Sequence, residues 1–257
     1  MSLATAWVDD PFAEAVRTGR GPLWLRLGDG GRISLDIERW CAPAGGADHG
    51  LLLRCLHTSA PVLDLGCGPG RLVAALSALG VPALGVDVTG AAVDRTVGIG
   101  GAALCRSVFD RLPAEGRWGA ALLADGNLGI GGDPDTLLRR CAELIAPVGL
   151  LLVEVEAEEI DERCTARVEG PGGRLGPAFA WARLGAAATA RRARAVGLVE
   201  TECWTSHGRR FLALRKAAPP GEPPRPAQPG TGGTVARAGA GRRRSSPPAS
   251  TQTRAAP

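Results

Sequence analysis

One glycine-rich segment carries the clearest signature of ligand-binding chemistry in the chain. It reads VLDLGCGPGR over residues 62–71, with glycines at positions 66, 68 and 70 and an acid, Asp64, two residues before the first of them. Glycines lack the side chains that would keep a ligand from the backbone, and a helix that begins there offers unpaired N–H groups. A carboxylate at this position suits an ammonium or sulfonium group and would repel a pyrophosphate. The segment therefore predicts a site for a ligand with an amino-acid-like, cationic end.

A second acid stands where it could bind a sugar. Asp87 ends the apolar run of ALGVDVT, 17 positions beyond Gly70. A carboxylate at the end of the strand that follows a glycine turn can accept hydrogen bonds from both hydroxyls of a ribose. Together, the glycines and the two acids predict a nucleoside ligand with an amino-acid-like tail.

From about Pro61 to Val155 the chain resembles the class I S-adenosylmethionine-dependent methyltransferases. The resemblance is carried by VLDLGCGPG at residues 62–70 and by LLRRCAELIAPVGLLLVEVE at 137–156, which look like small-molecule enzymes common in high-GC bacteria. It implies S-adenosylmethionine as the cofactor and transfer of its methyl group to a small organic acceptor. It also implies that Asp87 and Val88 hold the ribose, and that the methionine part is wrapped by Asp64, Gly66, Cys67, Gly68 and Gly70.

The segment SVFDRLP at residues 107–113 departs from the family pattern, which often has an acid where this chain has Ser107. The resemblance therefore leaves two candidates for the adenine contact. One is Ser107 together with the Val108 backbone and the neighbouring Phe109, and the other is Asp110.

The loop ADGN after the fourth predicted strand should border both cofactor and acceptor, since ligands lie at the C-terminal edge of such sheets. Its candidate residues are Asp125, Gly126 and Asn127. Two side chains, Asp125 and His207, are candidates for removing a proton from the acceptor, because a histidine near its ordinary pKa titrates close to neutral pH. Trp24, Trp40 and Trp181 could line an acceptor pocket or pack in the core.

Short apolar strands that alternate with helices predict a doubly wound α/β fold with a mostly parallel sheet. We expect the strands and helices of this unit at residues 61–65, 70–79, 83–88, 91–97, 102–105, 118–124, 135–145 and 149–155. A hairpin at 22–37 and a helix at 47–58 precede it. A helix at 178–196 and an antiparallel hairpin formed by 198–204 and 210–215 are expected to end it.

Composition divides the chain into three predicted parts: a hairpin-and-helix extension (1–58), the methyltransferase-like domain (59–216) and a disordered tail (217–257). The tail holds six arginines and one acid, which leaves 24 basic and 25 acidic residues in the remainder. It has a single large aliphatic residue, Val235, too little apolar surface to offset the entropy of ordering. The nearly neutral remainder disfavours a nucleic-acid enzyme, as does the lack of an Asp/Asn-Pro-Pro-aromatic motif after the fourth strand.

Seven cysteines without a CxxC pair fit buried thiols in a reducing cytoplasm better than a disulfide or zinc framework. The acidic start of the chain does not resemble a signal peptide, and no apolar run is long enough to span a bilayer, so a cytoplasmic protein without a membrane partner is expected. The acidic run at 154–162 is explained by a strand followed by a solvated loop, so no metal is expected. An NAD(P)-dependent oxidoreductase on a similar fold and a non-catalytic S-adenosylmethionine-binding protein remain the alternatives.

Overall fold

The computed structural model describes residues 11–217. The helices of this range are α1 (Pro11–Thr18), α2 (Ile37–Cys41), α3 (Asp48–Thr58), α4 (Arg71–Ala78), α5 (Gly90–Gly98), α6 (Pro134–Leu144) and α7 (Ala186–Ala195), with short 3-10 helices at Asn127–Gly132 and Pro171–Gly173. The strands are β1 (Trp24–Leu27), β2 (Arg32–Ser34), β3 (Val62–Leu65), β4 (Ala83–Asp87), β5 (Ala103–Cys105), β6 (Trp118–Leu123), β7 (Ile145–Val155), β8 (Asp161–Glu169), β9 (Phe179–Leu184), β10 (Leu198–Ser206) and β11 (Arg209–Lys216). No helix between residues 11 and 217 combines the length and the apolarity that a bilayer crossing requires.

Seven of these strands form the central sheet, in the order β10-β11-β7-β6-β3-β4-β5. Neighbours from β7 to β5 run parallel, whereas β11 is antiparallel to both β7 and β10. The predicted doubly wound, mostly parallel sheet that ends in an antiparallel hairpin is therefore confirmed.

Both faces of the central sheet are covered, which explains why its strands are apolar at almost every position. Successive side chains of a strand point to opposite faces. Val62 accordingly packs with Leu51 of α3 and Leu76 of α4, while Leu63 packs on the other face with Leu137 of α6. These five side chains are at most 1% exposed.

The remaining strands form a small antiparallel sheet in the order β2-β1-β8-β9. It joins the predicted N-terminal hairpin to a second hairpin inserted between β7 and α7. Its inner face shares one apolar core with α1 and α2, in which Val16, Leu25, Ile37 and Val168 are all buried. Gly129 permits the sheet to lie against the loop after β6, since a Cβ there would stand 2.4 Å from the Trp181 ring.

The predicted helix at 178–196 is wrong over its first half. Phe179–Leu184 is a strand, paired antiparallel with β8, and the helix begins only at Ala186, after Gly185. The alanines, arginine and leucine of this stretch favour a helix in isolation, but pairing with β8 and burial of alternate side chains override that preference. The solvated loop expected within the acidic run at 154–162 likewise ends early, because β8 begins at Asp161.

The first predicted domain boundary, at residue 58, comes directly after α3. Helix α3 packs against the central sheet, whereas residues 11–41 contribute to the core of the small sheet. Apart from Ala217, the predicted tail at 217–257 lies outside the described residues.

Candidate functional site

A deep cleft opens at the C-terminal edge of the central sheet. The chain leaves β3 toward β4 and β5 on one side and then crosses back to β6 on the other, and ligands of open α/β sheets bind at such a switch point. The cleft has a volume of about 1040 Å³ including its mouth. Its floor consists of the segments that follow β3, β4, β5 and β6, and α1, α2 and the small sheet supply the facing wall.

The glycine turn after β3 forms one end of the floor. All three glycines have positive φ: 75° at Gly66, 52° at Gly68 and 85° at Gly70. A Cβ on Gly66 would lie 2.7 Å from the Asn127 amide nitrogen, and one on Gly70 would lie 2.3 Å from the Thr96 hydroxyl, so neither can be replaced without strain. Gly68 lines the cleft, and no atom of residues 11–217 lies within 4 Å of its Cβ position, which leaves space among these residues for a ligand beside its backbone.

Asp87 closes the turn from the neighbouring strand. Its carboxylate accepts hydrogen bonds from the backbone N–H of Gly68 (3.0 Å) and of Thr89 (2.8 Å). Burial raises the pKa of Asp87, and the two backbone hydrogen bonds offset part of that rise. Each carboxylate oxygen thus has one lone pair engaged by the protein, and the side chain still lines the cleft beside Val88. A carboxylate fixed in this way can accept further hydrogen bonds from a ligand.

Asp64 lies beneath the turn and does not line the cleft. It is 3% exposed, at the end of β3. Burial raises the pKa of its carboxyl group to about 7, against the attraction of Arg71 and with a smaller contribution from the charge of Asp125. Near neutral pH the carboxyl group of Asp64 is therefore only partly ionised, and it does not line the open space.

Beyond Asp87, the cleft is lined by Ser107 and Val108. The Ser107 hydroxyl accepts a hydrogen bond from the Phe109 N–H, and the Asp110 carboxylate accepts one from the Ser107 N–H. Neither Phe109 nor Asp110 lines the cleft. Of the two candidates for an adenine contact, only the Ser107–Val108 pair is in position.

Asn127 fixes the glycine turn from the β6 side. Its amide donates to the backbone oxygens of Leu65 (3.0 Å) and Gly66 (2.7 Å), and the side chain lines the cleft. Gly126 lies outside this cleft, on a second depression that also includes Glu154 and Arg209. Asn127 therefore has a positioning role that its place in the sequence did not reveal.

Asp125 belongs to a partly buried ionic network, which we call the six-charge network. Its members come from six segments of the chain and carry three positive and three negative charges: Arg39, Asp48, Arg71, Asp125, Glu154 and Arg209. Arg71 and Asp48 are its most buried pair, with side chains 4% and 2% exposed and nitrogen–oxygen distances of 2.9 and 3.0 Å. Arg39 also pairs with the exposed carboxylate of Asp36 (3.1 Å), so every charged side chain of the network has a partner of opposite charge.

The network determines what Asp125 can do. Its carboxylate accepts from Arg71 (2.6 Å), Arg39 (2.9 Å) and Arg209 (3.0 Å). Burial alone would raise the pKa of Asp125, but the three guanidinium groups outweigh burial and lower it. The backbone of Asp125 is in the left-handed conformation, with φ of 57°, and its N–H donates to the Glu154 carboxylate. A carboxylate held this way is a weak proton acceptor, although it does line the cleft.

His207, the other candidate base, stands at the exposed β10–β11 turn with φ of 50°. Its Nδ1 lies 3.0 Å from the Ser206 hydroxyl, and its ring packs near Gly46. It does not line the cleft, so the geometry gives it no contact with a ligand bound there.

Two of the three predicted pocket tryptophans, Trp40 and Trp181, line the cleft, whereas Trp24 instead lies under the guanidinium of Arg32.

Sequence reasoning missed most of the six-charge network. Arg71 could have been suspected, because it follows the last glycine of the turn directly. Nothing in the sequence pointed to Arg209. It lies in the β10–β11 hairpin, 138 residues after Arg71, and only the fold brings the two side chains into one network. Within residues 11–217 no cluster of acids, cysteines and histidines could hold a metal ion.

No protein-family model matches the chain, and no curated protein sequence matches it. Solved structures do. A SAM-dependent methyltransferase from Bacteroides fragilis in complex with S-adenosyl-L-homocysteine superposes with a TM-score of 0.66 at 18% identity, over 81% of this chain and 95% of that one. The CcbJ methyltransferase from Streptomyces caelestis matches with a TM-score of 0.52 at 18% identity, over 67% of this chain and 89% of the other. This chain has a methyltransferase fold.

The likeness at this level of identity is one of fold, and the roles of single side chains follow from the geometry of the cleft. Within this methyltransferase fold the cleft lies where the strand order reverses, between β3 and β6. The glycine turn, Asp87 and Ser107 follow three adjacent parallel strands, β3, β4 and β5, so they form one continuous strip of floor.

Proposed function

We propose that the protein transfers a methyl group from S-adenosylmethionine to a small organic acceptor. The observation that carries the proposal is the Asp87 carboxylate, anchored by the Gly68 N–H and facing the cleft beside a turn that leaves open space at Gly68. A methyltransferase fold supplies the same expectation independently.

The strip of floor fits the three parts of the cofactor in order. The turn from Gly66 to Gly70, with Cys67 between its glycines, would receive the aminoacyl end, and the ammonium of that end would favour the ionised form of Asp64 beneath the turn. Asp87 would accept from the ribose hydroxyls beside Val88. Ser107 and the backbone of Val108 would lie against the adenine. When bound, the cofactor would supply a methyl group already activated by the sulfonium charge.

A dinucleotide fits the same strip less well. Its pyrophosphate would have to lie at the glycine turn, next to Asp87 and above Asp64. Asp87 could accept from the ribose of either ligand, but the ionised form of Asp64 beneath the turn would repel a dianionic group and attract a cationic one. This charge pattern favours the methyltransferase reading over an NAD(P)-dependent oxidoreductase.

The protein's own contribution would be alignment of the two reactants and exclusion of water. Asp125 is held by three guanidinium groups and His207 lies outside the cleft, so we propose that neither serves as a strong base. We further propose a lid role for the N-terminal segment up to residue 58, a cytoplasmic location, and an enzyme of the small-molecule type found in high-GC bacteria, without a nucleic-acid or membrane partner.

Isothermal titration calorimetry of the full chain with S-adenosylmethionine, S-adenosylhomocysteine and NADH tests the proposal. We expect binding of both sulfur nucleosides at one site per chain and no heat with NADH. Binding of NADH alone would overturn the proposal in favour of an oxidoreductase. Binding of the sulfur nucleosides without methyl transfer to any compound of a broad acceptor panel would instead indicate a non-catalytic binding protein.

A further inference from the structure

Arg71 brings a positive charge to the end of the cleft at which the glycine turn lies. It follows Gly70 directly as the first residue of α4, and it lines the cleft although its side chain is only 4% exposed. The aminoacyl end that the turn would receive carries a carboxylate as well as an ammonium. The ammonium would meet the ionised form of Asp64. The carboxylate needs donors of its own, because an anion taken out of water without hydrogen bonds is strongly disfavoured.

The guanidinium group of Arg71 has donors that are not yet engaged. A guanidinium group has five N–H bonds, and three of those of Arg71 are used. Its Nε and Nη2 donate to the two oxygens of Asp48 (2.9 and 3.0 Å), and its Nη1 donates to Asp125 (2.6 Å). One N–H bond on each terminal nitrogen therefore has no acceptor among residues 11–217. Because Nη1 binds a carboxylate that itself lines the cleft, we infer that the terminal nitrogens lie at the wall of the cleft.

The acids that Arg71 binds do not separate it from the cleft. Asp48 is buried and does not line the cleft, so it holds the guanidinium group from behind. Asp125 does line the cleft, but Arg39 (2.9 Å) and Arg209 (3.0 Å) donate to it as well as Arg71. Three guanidinium groups therefore share one carboxylate at this point of the wall. A ligand carboxylate beside Arg71 would meet more positive than negative charge there.

A second guanidinium group that lines the cleft, Arg106, lies at its other end. Its Nη1 donates to the backbone oxygen of Arg111 (2.8 Å), and it has no acidic partner among the described residues. Arg106 follows β5, which is two strands away from β3. Neighbouring strands lie roughly 5 Å apart, so the backbone of Arg106 is about 10 Å from the glycine turn. Its neighbour in the chain is Ser107, which places it on the adenine side of the floor strip.

We propose that Arg71 binds the carboxylate of the cofactor's aminoacyl end, and that it makes the site select the amino-acid form of the nucleoside over the decarboxylated form. This inference rests on the proposed function, because it assigns one more group of the same cofactor. Arg71 would bind through its remaining N–H bonds, as guanidinium groups commonly bind carboxylates. It would position the cofactor without touching the reacting atoms.

Calorimetric titration of the full chain with S-adenosylhomocysteine and with decarboxylated S-adenosylhomocysteine tests this assignment. The two ligands differ only in the carboxylate, so the ratio of their dissociation constants measures what that group contributes. We expect wild type to bind the complete nucleoside more tightly by about tenfold or more, as a charge-assisted hydrogen bond would give. Arg71→Met should reduce the ratio to about twofold or less, because the donors of the carboxylate are gone.

Two control variants separate a direct contact from a general loss of positive charge. Arg39→Met removes another partner of Asp125, but from a side chain that does not line the cleft, and Arg106→Met removes the second guanidinium group of the cleft. Both should keep the wild-type ratio. Thermal melting establishes that each variant is folded. If Arg71→Met is not, Arg71→Lys takes its place, and its ratio should lie below that of wild type because lysine keeps the charge but lacks the fork of N–H groups.

The outcomes separate the two levels of inference. Equal binding of both ligands to wild type would overturn the role of Arg71 and leave the proposed function standing. A folded Arg71 variant with the wild-type ratio would do the same. Loss of the ratio in Arg106→Met or in Arg39→Met would show that Arg71 is not the group that selects the carboxylate. If S-adenosylhomocysteine fails to bind wild type, the proposed function fails first.

Discussion

Replacing Asp87 by alanine probes the residue on which the proposed cofactor site depends. The carboxylate holds the N–H groups of Gly68 and Thr89, and in the proposed complex it would also accept from two ribose hydroxyls. A hydrogen bond to a charged group contributes about 1.5–3 kcal/mol net. Loss of two such bonds at the lower value removes about 3 kcal/mol, which corresponds to a dissociation constant about 150-fold larger.

The assay is calorimetric titration of S-adenosylhomocysteine into wild type, Asp87→Ala and a matched control, Asp94→Ala. Asp94 is an exposed acid on α5, seven residues further along the chain, so its loss should leave affinity within about twofold of wild type. Thermal melting of all three proteins establishes that each is folded. If Asp87→Ala is folded and binds within about threefold of wild type, the ribose assignment is refuted.

Arg71→Met should lower the free energy of unfolding by about 1.5–3 kcal/mol, because it removes the most buried partner of the Asp48 carboxylate while Arg209 still binds it. Urea unfolding should give a loss of less than about 1 kcal/mol for the control Arg174→Met, whose ion pair with Glu14 is exposed. Asp64→Asn should be more stable than wild type at pH 8 but not at pH 5. Burial raises the pKa of Asp64 to about 7, so the stability that its protonated form contributes to wild type is lost as the pH rises through that value. Equal differences in melting temperature between the two proteins at both pH values would contradict this. Gly66→Ala should both lower the melting temperature and abolish S-adenosylhomocysteine binding, because its Cβ would stand 2.7 Å from the Asn127 amide; a variant with unchanged melting and binding would show that the turn is not held as described.

The parts of the site that could be predicted are those encoded within one short segment. The strand, the glycine turn and the start of α4 lie within residues 62–71, and their geometry follows from local residue types. Asp87 was equally accessible, because the acid comes at the end of the next apolar strand. The same local logic predicted the central strands and the C-terminal hairpin.

What escaped prediction depends on contacts between distant segments. The six-charge network unites residues from Arg39 to Arg209, and no spacing rule brings such positions together. For the same reason Asp125 looked like a candidate base, although three guanidinium groups bind it. The strand at Phe179–Leu184 was predicted as helix because its antiparallel pairing with β8 is a contact between segments that the local residue types do not reveal.

A crystal structure of the full chain with S-adenosylhomocysteine tests the central claim most directly. We expect the aminoacyl group at the turn of Gly66 and Gly68, the ribose hydroxyls on the Asp87 carboxylate, and the adenine beside Ser107 and Val108. A nucleoside seated elsewhere, or with its sugar turned away from Asp87, would contradict the account.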